Sequence, residues 1–174
     1  MKKKVLIVRS VSFQQLDQNM TEIVNRFPVQ DYSIHLLTHG HGMEQARTYT
    51  AVSEILDYES RKNFSFFHLP GRLKKKDINY SGPYEAIIVP VTNKTGTGFL
   101  NVLAMAGRIR SHSIYICNLI SEMREISRKE ILGQMIKSFF FSFLAVLMAV
   151  PLAVTALPVV LVSLGKQRES SGKK

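Results

Sequence analysis

The chain has 174 residues, a formal charge of +10 and a single cysteine. That length fits one domain of ordinary size plus an anchor, and one thiol excludes an intramolecular disulfide and gives no reason to invoke an oxidising compartment. The positive excess suits anionic headgroups or a phosphorylated ligand, while the apolar stretch near the C-terminus argues against nucleic acid as the partner.

MKKK leads into only four apolar residues before Arg9 and Ser10, too few for the apolar region of a secretory signal, so the start is expected to be a strand. Residues 4–9 (KVLIVR) form the continuous apolar run of a strand covered on both faces. After a loop over 10–14, Leu16, Met20, Ile23, Val24 and Phe27 recur at helical spacing until Pro28 ends the stripe. A second strand is expected over 32–37 (YSIHLL), then a turn over 38–42, a weaker helix from about Met43 to Val52 and a short third strand over 54–58. Residues 61–83 contain many turn formers and read as a surface connection with at most one short element at 64–69. The next buried strand is 85–91 (EAIIVPV), followed by a loop over 92–98, a helix from Phe99 to about Arg108, and a strand over 113–117 that closes the sheet. Cys117, at the end of that strand, is expected as a small buried hydrophobe. Strands alternating with helices in this way indicate an α/β domain with a mainly parallel sheet of about five strands and flanking helices.

Residues 119–137 carry Met123, Ile126, Ile131 and Met135 at helical spacing, with basic residues elsewhere, and are expected to form an amphipathic helix beside the membrane or packed on the sheet. Residues 138–165 follow as a hydrophobic membrane helix without one charged side chain. Pro151 and Pro158 leave two shapes open there, a kinked single span or a re-entrant hairpin turning near Pro151. A basic, disordered tail is expected over 166–174, and lysines and arginines on both flanks of the apolar stretch leave its orientation balanced. The organisation expected is therefore an α/β domain over 1–118, the juxtamembrane helix, the span and the tail. The chain is expected to be membrane-anchored, at the inner membrane if bacterial, with its α/β domain cytoplasmic. Lys74, Lys75, Lys76, Arg128, Lys129 and Lys137 are the candidate contacts to lipid headgroups.

In an open α/β sheet, ligands bind outside the carboxyl ends of the strands, which singles out the loops at 10–14, 38–42 and 92–98. The last, TNKTGTG, places glycines before a helix and a lysine among them, a pattern that serves either an anion or a plain tight turn. It is neither a complete G-x-G-x-x-G nor a Walker motif. Candidate ligand contacts are Ser10, Ser12, His39, His41, Asn93, Lys94, Thr95, Gly96 and Gly98. His39 and His41 with Glu44 lack further ligands at a metal-binding spacing, and no G-x-S-x-G elbow surrounds Ser10 or Ser12, so neither a metal, a cofactor nor a serine nucleophile is expected.

The opening VLIVRSVSFQQ, the helix ending NRFPVQDYSIHLLT, and the later SEILDYE and YEAIIVPVTNKTG resemble the N-terminal Rossmann-like lobe of ADP-heptose:lipopolysaccharide heptosyltransferase-like glycosyltransferases. The resemblance covers about residues 4–117 and implies a Rossmann-like fold and a role in sugar transfer. Gln14 and Gln15 stand where that family carries a Gly-Asp pair implicated in catalysis, and an amide cannot serve as a general base near neutral pH. The family's donor-binding second lobe would begin where the apolar segment lies. The expectation is thus a membrane-anchored binding or accessory subunit in envelope glycan or lipid-linked sugar assembly, with no catalytic residue assigned. A transferase completed by a partner chain and a membrane-tethered protein scaffold are the alternatives, and membrane lipids, a phosphorylated or sugar ligand and a protein are the candidate partners.

Overall fold

The computed structural model describes residues 2–58, 64–65 and 83–171, with side chains placed up to residue 149. Lys74, Lys75 and Lys76, and most of the short element expected at 64–69, lie outside the described residues.

The chain divides into two compact units, residues Met1–Gly133 and Gln134–Lys174. In the first, β1 (Lys3–Val8), β2 (Tyr32–Thr38), β3 (Val52–Asp57), β4 (Tyr84–Pro90), β5 (Ser111–Cys117) and β6 (Met123–Glu125) form one sheet in the order β3-β2-β1-β4-β5-β6. All neighbours are parallel except β5 and β6. The sheet is α/β and mostly parallel, and it has six strands where five were expected.

The buried runs explain the order. Val5 to Val8 are wholly buried, as are Ile87 to Val89, so β1 and β4 take the centre, where both faces are covered. On one face Val5, Ile7, Ile34, Leu36 and Ile88 pack with Leu16, Met20, Ile23 and Phe27 from helix α1 (Phe13–Arg26). Ser12 caps α1, its side chain accepting from Gln15 N at 3.4 Å, and Phe27 precedes the proline that stops it. The alternate residues Leu6, Val8, Ile87 and Val89 point to the other face. Helix α3 (Leu100–Arg108) connects β4 to β5, and the right-handed crossover rule puts it on that second face.

Three expectations are corrected. The second helix is only Met43–Ala46, α2, after a 3-10 turn over Gly40–Gly42. Thr48 Oγ1 turns back on Gln45 O at 2.8 Å and the Tyr49 ring stacks on Phe13 at 6.2 Å, so side-chain bonds compete with helix continuation and β3 begins at Val52. Residues 119–137 are not one helix. Asn118 Oδ1 accepts from Ile120 N at 3.1 Å and Glu122 N at 3.0 Å, and Ser121 adopts φ +59°, which folds the chain back so that β6 covers the edge of β5. Only at Arg128 does the last helix, α4 (Arg128–Ser171), begin, with Ser127 Oγ accepting from Glu130 N at 3.1 Å in an S-x-x-E cap.

The third correction concerns the end of the chain. Helix α4 runs without interruption through Pro151 and Pro158, so of the two shapes left open the single helix is found rather than the hairpin, and it continues to Ser171, well into the stretch expected to be a disordered tail. Lys166, Gln167, Arg168 and Glu169 are all good helix formers. Its portion Arg128–Ala149 is long and apolar enough to cross a membrane, and only 6 % of that stretch is buried. Phe139, Phe140, Phe141, Phe143 and Leu144 are all exposed.

Candidate functional site

Because β1 leads to β2 on one side and β4 leads to β5 on the other, the loops after β1 and β4 diverge and leave a crevice between them. A cleft of about 430 Å³ occupies that position. It is lined by Arg9, Ser10 and Val11 after β1, His39 and His41 after β2, Phe64, and Gly98, Phe99 and Asn101 where α3 starts.

Each wall is held by its own bonds. Arg9 donates from Nε to Thr38 Oγ1 at 2.7 Å and from Nη1 to Val11 O at 3.2 Å, and its guanidinium lies 4.4 Å from the Phe13 ring centroid. Burial lowers its pKa from the ordinary value, partly opposed by Tyr49, and an arginine starts high enough to stay charged. Ser10 Oγ donates to Pro90 O at 2.5 Å, joining the loop after β1 to the end of β4. Its oxygen keeps acceptor capacity toward the cleft. His39 and His41 stack at 5.6 Å, and His39 meets Phe64 edge-on at 4.5 Å and Tyr58 at 5.1 Å. The two imidazoles are thus part of an aromatic wall, and among the described residues no group of three His, Cys, Asp or Glu side chains is placed to hold a metal ion.

The loop over 92–98 divides into two parts with different jobs. Asn93 Oδ1 accepts from Gly96 N at 2.6 Å and Thr95 N at 3.2 Å, its Nδ2 donates to Thr97 O at 2.6 Å, and the hydroxyls of Thr95 and Thr97 bond each other at 2.6 Å. The amides expected to cradle an anion at Thr95 and Gly96 are therefore consumed within the turn. Gly96, at φ +75°, is packed so closely that a Cβ there would meet Leu103 Cδ1 at 2.9 Å. Gly98, at φ +91°, has open space around it and lines the cleft. Helix α3 starts after Phe99 with no side-chain cap, so its first-turn amides keep their hydrogen-bonding capacity, and Asn101 of that turn reaches the cleft wall.

Of the nine candidate ligand contacts, the structure brings Ser10, His39, His41 and Gly98 to one cleft and leaves five outside its lining. Ser12 is the α1 cap, Asn93, Thr95 and Gly96 build the turn, and Lys94 is exposed beyond the wall. Arg9, Val11, Phe64, Phe99 and Asn101 were not anticipated. Arg9 had a readable signal, a cation at the end of a buried strand in the fold's ligand-binding position; the others had none.

Arg128 is likewise not free for headgroups. It donates from Nε to Gly107 O and from Nη2 to Ile109 O, Ser111 O and Ser111 Oγ, all at 3.1 Å, and so satisfies the carbonyls at the end of α3 and the start of β5. Gln15 is 6 % exposed and donates from Nε2 to Val91 O at 2.8 Å, away from the cleft lining. Searches against protein-family models and against curated proteins return no match for this chain.

Proposed function

We propose that the chain is a membrane-tethered α/β binding domain that takes a small phosphorylated or sugar ligand in the switch-point cleft, as an accessory subunit of envelope glycan or lipid-linked sugar assembly. The observation that carries this reading is the cleft itself, where Arg9, Ser10, two imidazoles, the Gly98 backbone and Asn101 converge at the position where open α/β sheets bind ligands. A guanidinium supplies positive potential, a hydroxyl and an amide fix orientation, and Phe64 and Phe99 add apolar lining. The inward bond of Gln15 supports binding rather than transfer, since no carboxylate stands at the place where the resembling transferases use one. The exposed apolar surface of α4 supports the tether.

Titration calorimetry on the full chain in detergent, with nucleoside diphosphate sugars and inorganic pyrophosphate as probes, tests the reading. Binding is expected, and His41→Ala and Asn101→Ala should each weaken it about tenfold, the loss of one polar contact, without lowering thermal stability. Absence of binding by every probe, or equal affinity in both variants, refutes the cleft as the site. Turnover of a donor sugar by the chain alone replaces the accessory role with an enzymatic one.

A further inference from the structure

The guanidinium of Arg9 sits at the cleft wall in a seat without a counter-charge. Arg9 N donates to Leu37 O at 2.9 Å, which extends the pairing of β1 with β2 by one residue and fixes where the side chain leaves the sheet. From there Nε donates to Thr38 Oγ1, Nη1 donates to Val11 O, and the group lies over the ring of Phe13, which stacks on Tyr49, whose hydroxyl bonds Asp17. Thr38 is wholly buried, so its hydroxyl is a fixed acceptor. Gly42 closes the seat. Its φ of −97° suits any residue, so space rather than conformation calls for glycine: a Cβ there would meet Thr38 Oγ1 at 2.7 Å, Arg9 Nη2 at 3.0 Å and Phe13 Cε2 at 3.2 Å. All of the groups that touch the guanidinium are neutral. Among the described residues no carboxylate pairs with Arg9, and no Asp or Glu lines the cleft.

A guanidinium has five N–H donors, and these bonds use two of them. A partly buried cation whose partners are all neutral carries a desolvation cost that an anion in contact with it offsets. We infer that Arg9 is the group by which the cleft selects its ligand, and that the class it selects bears an oxyanion, a phosphate ester or a carboxylate, in preference to a neutral sugar. The inference rests on the reading of the cleft as a ligand site and narrows it. Thr38 and Gly42 are positioning residues: they hold the guanidinium at the wall without lining the cleft themselves. A guanidinium set in place beforehand loses little side-chain freedom on binding, and its charge-assisted bonds are stronger than those of a neutral donor. On the β4 side of the cleft, the uncapped first turn of α3 adds a field of the same sign.

The test is titration calorimetry on the full chain in detergent with three probes built on one ring, glucose, glucuronate and glucose 1-phosphate. At least one of the two anions should bind about tenfold or more tightly than glucose, and the tighter of them names the oxyanion. The preference for anion over glucose is the readout, because a change that only loosens the fold weakens all three probes alike. Arg9→Gln should abolish the preference, and Arg9→Lys should restore little of it, since an ammonium has no Nε to bond Thr38 and no plane to lie on Phe13. Thr38→Val removes the acceptor and Gly42→Ala pushes the guanidinium aside, and each should reduce the preference by about three- to tenfold. Should Gly42→Ala fail to fold in thermal unfolding, Thr38→Val decides the positioning role, and an unchanged preference there refutes it. Glucose bound as tightly as both anions, or a preference that survives in Arg9→Gln, overturns the inference and leaves the cleft standing as a ligand site. Absence of binding by all three probes also overturns it, and the cleft is then judged by its titrations with nucleoside diphosphate sugars and pyrophosphate.

Discussion

Gly96→Ala separates the two halves of the loop before α3. At φ +75° an L-residue pays roughly 1–2 kcal/mol, and the new methyl lands 2.9 Å from Leu103 Cδ1. Leu103 is wholly buried, so its side chain has little room to give way, and overpacking adds roughly 1–2 kcal/mol more. The total, about 2–4 kcal/mol, is a large share of a small domain's stability. Gly98→Ala pays only the conformational cost, about 1–2 kcal/mol, because nothing lies within 4 Å of its added Cβ. Urea unfolding of the α/β domain, followed by circular dichroism with the chain held in detergent, measures both. The expected pattern is a clearly larger midpoint loss for Gly96→Ala, with ligand affinity at temperatures where it stays folded close to that of the parent. Equal losses for the two variants, or a Gly96→Ala protein of full stability that no longer binds ligand, would refute the assignment of Gly96 to packing and Gly98 to the cleft.

Arg128→Ala should destabilise the domain by about 1–2 kcal/mol by stranding the carbonyls of Gly107, Ile109 and Ser111, and Arg128→Lys should recover little of it because an ammonium cannot fork to all of them; thermal unfolding decides. His35 is 4 % exposed, with Nδ1 3.3 Å from Tyr84 Oη and 3.5 Å from Glu54 Oε2. Burial lowers its pKa, Glu54 opposes this and Lys4 adds to it, so the neutral ring is the native form. The unfolded chain then binds the proton more readily, and the stability contributed by neutral His35 is full above about pH 6.5 and is lost as pH falls from there through the lower native value. His35→Gln should flatten that part of the stability profile. Burial, with a smaller contribution from Glu22, raises the Cys117 thiol to about 11, so the native protein should resist a disulfide reagent at pH 8 and react once denatured.

The parallel core was legible because continuous apolar runs such as Val5–Val8 and Ile87–Val89 have one reading in an α/β chain. The crevice position followed from the alternation of strands and helices alone. Residues 119–137 were misread because Met123, Ile126 and Ile131 fit a helical stripe, whereas the decision rests on local chemistry: Asn118 folds its own turn, and Ser127 with Glu130 marks the true helix start. That S-x-x-E pattern is visible in the sequence and was outweighed by periodicity. At the site, residue type and spacing located the loops but not which side chains turn inward. Asn93, Thr95 and Gly96 look like a phosphate cradle in sequence, yet their hydrogen bonds close on one another. Phe64 reaches the cleft only through tertiary packing against His39 and Tyr58, which no spacing encodes.

The most direct measurement of the central claim is amide chemical-shift mapping of the full chain in detergent during titration with a nucleoside diphosphate sugar. The account predicts saturable shifts at Gly98, Phe99, Asn101, Ser10 and His41, with the amides of Thr95 and of the first residues of β1 and β4 unmoved. Shifts confined to Thr95 and Gly96, or to the first residues of the strands, or absent from the whole domain, would contradict a ligand site at the switch-point cleft.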